Sequence, residues 1–277
     1  MPPYLYEHFN LNPLSMEINI VTDPDEIRHI VPVIRSAWGM ESMDQLVKDI
    51  VAAMRFHGGL VLLAREADEV IGMHFSFPGF RNGKTYLYSH MTGVTHQDKY
   101  RGVGEALKLA QKEWAGTHGY DLIAWTYDPL MALNAHFNIN KLGAVVRTYL
   151  RNFYGSMEDA LNFGLPTDRF VAEWWINYTK PKIPSPEVFL NSPEAFGKVD
   201  MDFKNDCIGL YIPKDFVSMK RNDKDSALNV RMSLRSALEK AFKNKYDVVD
   251  FNKNGGYYVL WKNMEFEKTH PGRIFDP

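Results

Sequence analysis

The stretch from Met91 to Leu107 constrains the fold more than any other. An extended, aromatic-rich run leads into Gly102-Val103-Gly104, and an amphipathic helix opens at once behind it. Val103, Ala106, Leu107, Ala110 and Trp114 recur at helical spacing, which assigns Glu105, Lys108, Lys112 and Glu113 to the opposite, wet face. The first N–H groups of a helix have no intrahelical acceptor and carry the positive end of the macrodipole. Glycines at that point let the backbone approach a ligand without a Cβ in the way. Such a junction can seat an anion, above all a phosphate.

Two familiar phosphate loops fit poorly. A Walker loop ends in Gly-Lys-Ser/Thr, and Gly104 is followed by Glu105; a dinucleotide fingerprint needs a third glycine where Leu107 stands. Lys99-Tyr100-Arg101-Gly102-Val103-Gly104 resembles instead the acetyl-CoA pyrophosphate loop of the GNAT superfamily of N-acetyltransferases. That loop reads Arg or Gln, two residues, Gly, one residue, Gly or Ala, and here Lys99 takes the first place. A plain strand-to-helix turn can also read Gly-x-Gly, so the order of elements along the chain has to supply the rest.

Glu17 to Val21 reads as a strand. Asp23-Pro24-Asp25-Glu26 then gives an N-cap, a proline at the first helical position and acids in the first turn, with Pro32 expected to kink the helix before Gly39 ends it. Ser42 to Gln45 matches a capping box, opening a helix with Leu46, Ile50, Val51 and Met54 inward. Leu60 to Arg65 and Val70 to Phe77 form a hairpin, Asn82-Gly83 marks the next turn, and Thr85 to Val94 leads into the glycine loop. Beyond the loop helix come a strand from Asp121 to Tyr127, a helix from Leu130 to Leu142, a strand from Ala144 to Tyr154, a loop, and a strand from Phe170 to Tyr178.

This sequence of elements is that of the GNAT fold, an α+β acyl-CoA N-acyltransferase fold with a mixed central sheet flanked by helices. Residues 1–16 are expected to be an N-terminal arm and 17–179 the GNAT acetyltransferase domain. After the proline-rich Lys180-Pro181-Lys182-Ile183-Pro184-Ser185-Pro186, residues 180–277 read as a C-terminal α+β domain. Its strand from Cys207, helix from Asp223 to Asn244 and strands from Tyr246 and Tyr257 are either a degenerate partial GNAT repeat or an unrelated cap. Pro213-Lys214-Asp215-Phe216 stands where the repeat's glycines would be.

The net charge of −2 over 277 residues leaves no electrostatic footprint for nucleic acid or an anionic membrane. No run approaches the ~18 apolar residues of a membrane span. The single cysteine, Cys207, excludes an intramolecular disulfide and fits a reducing compartment. A cytoplasmic protein without a metal is the expectation, and a homodimer is compatible with it.

The resemblance implies direct transfer from acetyl-CoA or another acyl-CoA to an amine acceptor, with pantetheine lying between the strand before the loop and the strand after its helix. Backbone amides of Tyr100, Arg101, Gly102, Val103, Gly104 and Glu105 would cradle the pyrophosphate, with Lys99 and Arg101 adding charge or standing solvated. Met91, Gly93 and Val94 would meet the pantetheine through backbone groups. Asn134 and Asn138, one turn apart, would hydrogen-bond the cofactor or simply be polar helix positions.

For the base, His90 titrates in the right range, although a strand histidine is more often a hydrogen-bonded core residue. Asp128 in Tyr127-Asp128-Pro129 is a base, a substrate anchor or a turn residue. Glu173 among aromatics is a carboxylate whose burial would raise its pKa, unless it lies at an edge. Many GNAT enzymes carry an acid tyrosine four residues before the glycine that ends the next helix. Here the glycine is Gly143 and that position is Ile139, so Tyr127 or Tyr149 would have to substitute. Asp128 to Asn138, with Lys141 to Val146 after it, resembles a branch of predicted GNAT acetyltransferases. Three readings remain: an N-acyltransferase, a non-catalytic CoA-binding protein, and an interaction module.

Overall fold

The computed structural model describes residues 16–39, 44–95, 102–155, 165–262 and 272–275. Residues 1–15, Ser42 of the expected capping box, and Lys99, Tyr100 and Arg101 lie outside the described residues. The chain divides into two compact units, Met1–Ala124 and Trp125–Pro277.

In the first unit the elements are β1 (Met16–Ile20), a 3-10 turn (Pro24–His29), α1 (Ile30–Trp38), α2 (Asp44–Phe56), β2 (Leu60–Glu66), β3 (Glu69–Arg81), β4 (Lys84–Val94), α3 (Val103–Thr117) and β5 (Leu122–Tyr127), whose last three residues enter the second unit. The strands lie in the order β1-β2-β3-β4-β5. β1 to β4 pair antiparallel, and β4 and β5 pair parallel at Leu87↔Ile123 and Tyr88↔Ala124. Asn82 and Gly83 both take positive φ, as a two-residue hairpin turn requires.

Helices cover both faces of this sheet. Met73 enters the core formed with Ile27, Ile30 and Val33. Its neighbour Gly72 faces the other way, where an added Cβ would stand 2.9 Å from Val103 and 3.2 Å from Leu107 of α3. Two details depart from expectation. Pro32 falls in the first turn of α1 because the segment before it is 3-10, so its missing N–H has no helical acceptor to lose and no kink is needed. Ile50 is exposed, and Val51 carries the inward face of α2.

In the second unit, β5 is followed by α4 (Ala132–Ala135), a π-helical turn (His136–Lys141), β6 (Val145–Leu150), β7 (Arg169–Trp175), β8 (Val188–Phe189), β9 (Cys207–Tyr211), α5 (Phe216–Asn222), α6 (Lys224–Lys243), β10 (Asp247–Asn252) and β11 (Tyr257–Trp261). The strand order is β5-β7-β6-β10-β11-β9-β8, with β8 parallel to β9. α5 and β8 carry too short a pattern to be read from sequence, and the helix expected over 130–142 tightens and then widens into the π turn. Leu142 N–H there reaches back five residues to the carbonyl of Phe137, at 3.0 Å.

β6 and β10 meet at Val146↔Val248. Immediately after that pair each strand carries an extra residue, Arg147 in β6 and Val249 in β10. The carbonyl of each is taken by a cation from outside the sheet. Arg273 donates to Arg147 O at 2.5 Å while its other arm pairs with Asp247 at 2.7 Å; Lys180 donates to Val249 O at 2.9 Å and to Ile139 O of the π turn at 2.5 Å.

Candidate functional site

The glycine junction has the geometry of an open helix start. Gly102 takes φ +95°, a conformation glycine reaches without strain, and no side chain caps the helix from that position. Its carbonyl already accepts from Ala106 N–H at 2.9 Å, which leaves the N–H groups of Val103 and Gly104, ahead of it, without intrahelical acceptors. Among the described residues a Cβ on Gly104 would meet only Val94, at 3.7 Å. Glu105 lies in the same first turn.

The strand feeding this junction is bulged. Met91 pairs with Phe75 and Ser89 with the next residue, Ser76, so His90 is the extra residue of β4. His90 is turned to the surface, where its ring stands 5.9 Å from Phe77 and 6.1 Å from both Phe75 and Tyr88. Partial burial among these rings holds its imidazole below the ordinary histidine value, so the neutral, proton-accepting form prevails near pH 7. Met91 packs its side chain into the α1–α2 core. Gly93 is closed on by α1, an added Cβ standing 2.6 Å from the Trp38 ring.

Beneath β4, on the α3 side, lies a buried polar layer that the helical pattern of α3 concealed. Lys108 is buried, contrary to its expected place on the wet face, because its amine reaches a partner in the sheet. Nζ donates to Ser89 Oγ at 2.7 Å and to Gln111 Oε1 at 3.4 Å. Desolvation brings its pKa down to about 7. His74 Nδ1 lies 2.8 Å from Thr92 Oγ1, and burial, with Lys108 adding to it, holds that imidazole well below its ordinary value.

The remaining sequence candidates lie in the second unit, in a network of ion pairs. Both oxygens of Asp128 are held by Arg231, at 2.8 and 2.5 Å, and Oδ1 also accepts from Leu130 N–H at 2.8 Å, closing the expected turn. Burial would raise this carboxyl, but Arg231 outweighs it and holds it below the ordinary aspartate value. Asp168 is held in the same way by Arg235, at 2.8 and 2.7 Å, and by the Tyr149 hydroxyl at 2.5 Å. Arg231, Arg235 and Glu239 line one stripe of α6, and Glu239 pairs with Arg151.

Glu173 is fully buried, and its Oε2 accepts from Arg147 Nε at 3.0 Å, Arg147 Nη2 at 2.5 Å and Trp175 Nε1 at 3.2 Å. The extra residue of β6 is what aims Arg147 inward. Tyr127 is buried against Phe170, and burial holds its phenol above the ordinary range. Tyr149 is raised too, by burial and then by Asp168. Asn138 accepts from Trp125 Nε1 at 3.2 Å, whereas Asn134 is exposed on α4. Ile139 is fully buried. Among the described residues no cluster of His, Cys, Asp and Glu is arranged to hold a metal, and no helix is long and apolar enough to cross a membrane.

No family model and no curated protein matches the chain. Solved structures do. Naa50 from Arabidopsis thaliana, in complex with a bisubstrate analogue, is 18% identical over 58% of this chain and 98% of its own, with a TM-score of 0.45. A GNAT family acetyltransferase from Elizabethkingia anophelis with acetyl-CoA bound is 15% identical over 58% and 98%, at 0.45. A GNAT family acetyltransferase from Streptococcus pneumoniae is 14% identical over 59% and 100%, at 0.47. By its element order, its parallel β4–β5 pair and the β5-β7-β6 strand order, the chain has a mixed α+β fold, with the order of elements expected from the sequence for a GNAT fold.

Proposed function

We propose that the chain is an acyl-CoA-dependent N-acyltransferase, with acetyl-CoA as the simplest donor and a small-molecule or protein amine as acceptor. The observation that carries this reading is the uncapped, glycine-led start of α3 directly behind a bulged β4. The first-turn amides of Val103, Gly104 and Glu105 would hold the pyrophosphate, with Lys99, Tyr100 and Arg101 completing the loop. The backbone of Met91 to Val94 would line the pantetheine.

In the transfer, the amine nitrogen bonds to the thioester carbonyl carbon and the C–S bond breaks. One ammonium proton goes to His90, whose neutral imidazole supports that role; the second leaves the nitrogen as the tetrahedral intermediate collapses and passes, through solvent, to the departing thiolate. Asp128 and Glu173 are already bound to Arg231 and Arg147, which favours a structural role for both. Tyr127 and Tyr149 grip their protons more tightly than an ordinary phenol, so neither suits the role of acid.

A second reading, binding of CoA without turnover, is favoured by the buried Ile139 at the usual acid position. Thermal shift with CoA, acetyl-CoA and longer acyl-CoAs tests the cofactor, since a ligand that binds only the folded chain adds about 2.7 kcal/mol at a hundredfold excess over Kd. Stabilisation followed by thiol release with any amine supports the enzyme; stabilisation without release supports the carrier. No shift refutes both.

The C-terminal region fits a degenerate partial repeat of the same fold. β9, α6, β10 and β11 take the spatial order β9-β11-β10, just as β5, α4, β6 and β7 take β5-β7-β6, and the parallel β8–β9 pair matches β4–β5. In this match the counterpart of the glycine loop and its helix lies between β8 and β9, not at 213–216 as the sequence suggested, and residues 190–206 contain no helix.

A further inference from the structure

Ser89 and Thr92 are three residues apart. In a regular strand, residues at that spacing point to opposite faces. Both nevertheless enter the layer beneath α3, Ser89 bonded to Lys108 at 2.7 Å and Thr92 to His74 at 2.8 Å. The extra residue between them, His90, is what allows this. A slip of β4 into unbulged register would turn one of the two hydroxyls out of the layer and leave a buried nitrogen without its partner, at a cost that disfavours the slip.

The layer is closely enclosed. His74, Ser76 and Gln111 are fully buried, Ser89 and Lys108 each expose 4%, and α3 lies close enough on Gly72 that a Cβ there would collide with Val103. Ser76, opposite Ser89, completes a polar patch two residues wide on β3 and β4, where an apolar interface with α3 would be the ordinary choice. Among the described residues, His74 Nε2, Ser76 Oγ and Gln111 Nε2 in this layer have no hydrogen-bond partner, so its directional hold on β4 comes from the two bonds to Ser89 and Thr92.

We propose that Lys108 and His74 are positioning residues for the acyl-transfer site: by holding Ser89 and Thr92 from beneath β4 they fix the bulge, and so fix both the outward aim of His90 and the course of the backbone from Met91 to Val94. The role rests on the N-acyltransferase reading. It differs from general packing, because apolar substitutions should preserve the fold while releasing the bulge.

The test uses the full chain with Lys108→Met and, separately, Thr92→Val. Two signals are read by NMR, the titration of the His90 ring and amide exchange from His90 to Thr92, alongside calorimetric binding of CoA and acetyl-CoA. In both variants the His90 titration should move up toward the ordinary value as the ring leaves its aromatic surround. Exchange at the bulge should quicken about tenfold relative to the β2 amides of the same protein, the loss expected for one hydrogen bond. CoA should bind as in the parent, while the added affinity of acetyl-CoA over CoA should fall. A parent that binds neither ligand overturns the functional reading on which the role rests. A parent that binds both, with variants matching it in His90 titration and bulge exchange, overturns the positioning role itself.

Discussion

Replacing Lys108 with methionine should make the protein more stable at neutral and acidic pH, by an amount that shrinks as pH rises. The unfolded chain keeps a proton on this lysine up to 10.5, whereas the folded chain sheds it above about 7. Between those values the unfolded state binds one more proton, so the parent gains stability with rising pH at about 1.4 kcal/mol per pH unit. Below about 7 the whole difference, about 5 kcal/mol, counts against the fold. Methionine removes the amine and this dependence, and forfeits the bond to Ser89, worth about 1 kcal/mol. The variant should therefore lead the parent by about 4 kcal/mol at about pH 6 and lose that lead by about pH 10. Urea unfolding of both proteins across that range reads the effect above about pH 7, where His74, a neighbour whose titration Lys108 also shifts, is neutral in both. A difference that stays constant with pH would refute the assignment of a neutral, desolvated amine.

Other outcomes follow from the same geometry. Gly104→Glu should abolish CoA binding in a thermal-shift titration yet leave the apo melting temperature almost unchanged, because among the described residues the added Cβ finds only Val94 at 3.7 Å; unchanged CoA binding would displace the cofactor site from α3. Gly93→Ala should destabilise by about 1–3 kcal/mol in urea unfolding as Trp38 is pushed from its place. Arg231→Met should cost about 3–5 kcal/mol by stranding the Asp128 carboxylate, and adding Asp128→Leu should recover most of it. If the double variant is no better than the single one, the pair is not what holds α6 at that point.

Most of the element order was legible because strong local signals mark it: Asn82-Gly83 for a hairpin, Gly39 and Gly102 for positive φ, Asp223 for a helix cap. The bulges were not. A one-residue shift in pairing changes which face a side chain meets, and nothing in the run Ser89-His90-Met91-Thr92 announces it. Lys108 shows the same limit from the helix side, since a lysine at a helical position defaults to solvent until a partner three-dimensionally close, here Ser89, is known. Asp128 and Glu173 could be singled out as carboxylates in apolar company. Their arginines are distant in sequence, at Arg231 and, through a bulge, Arg147, so the pairing that occupies them could not be foreseen.

The seam at Val146↔Val248 bears on how the chain can be cut. Its proline-rich stretch at 181–186 invites a truncation after residue 179, but that cut removes Lys180 from the carbonyls of Val249 and Ile139 and, with the rest, the strand that covers β6. A fragment ending there would present β6 as a bare, apolar sheet edge of the kind that recruits other chains. Expression of the N-terminal portion alone should yield aggregates, so a piece suited to enzymology must keep Lys180 and β10.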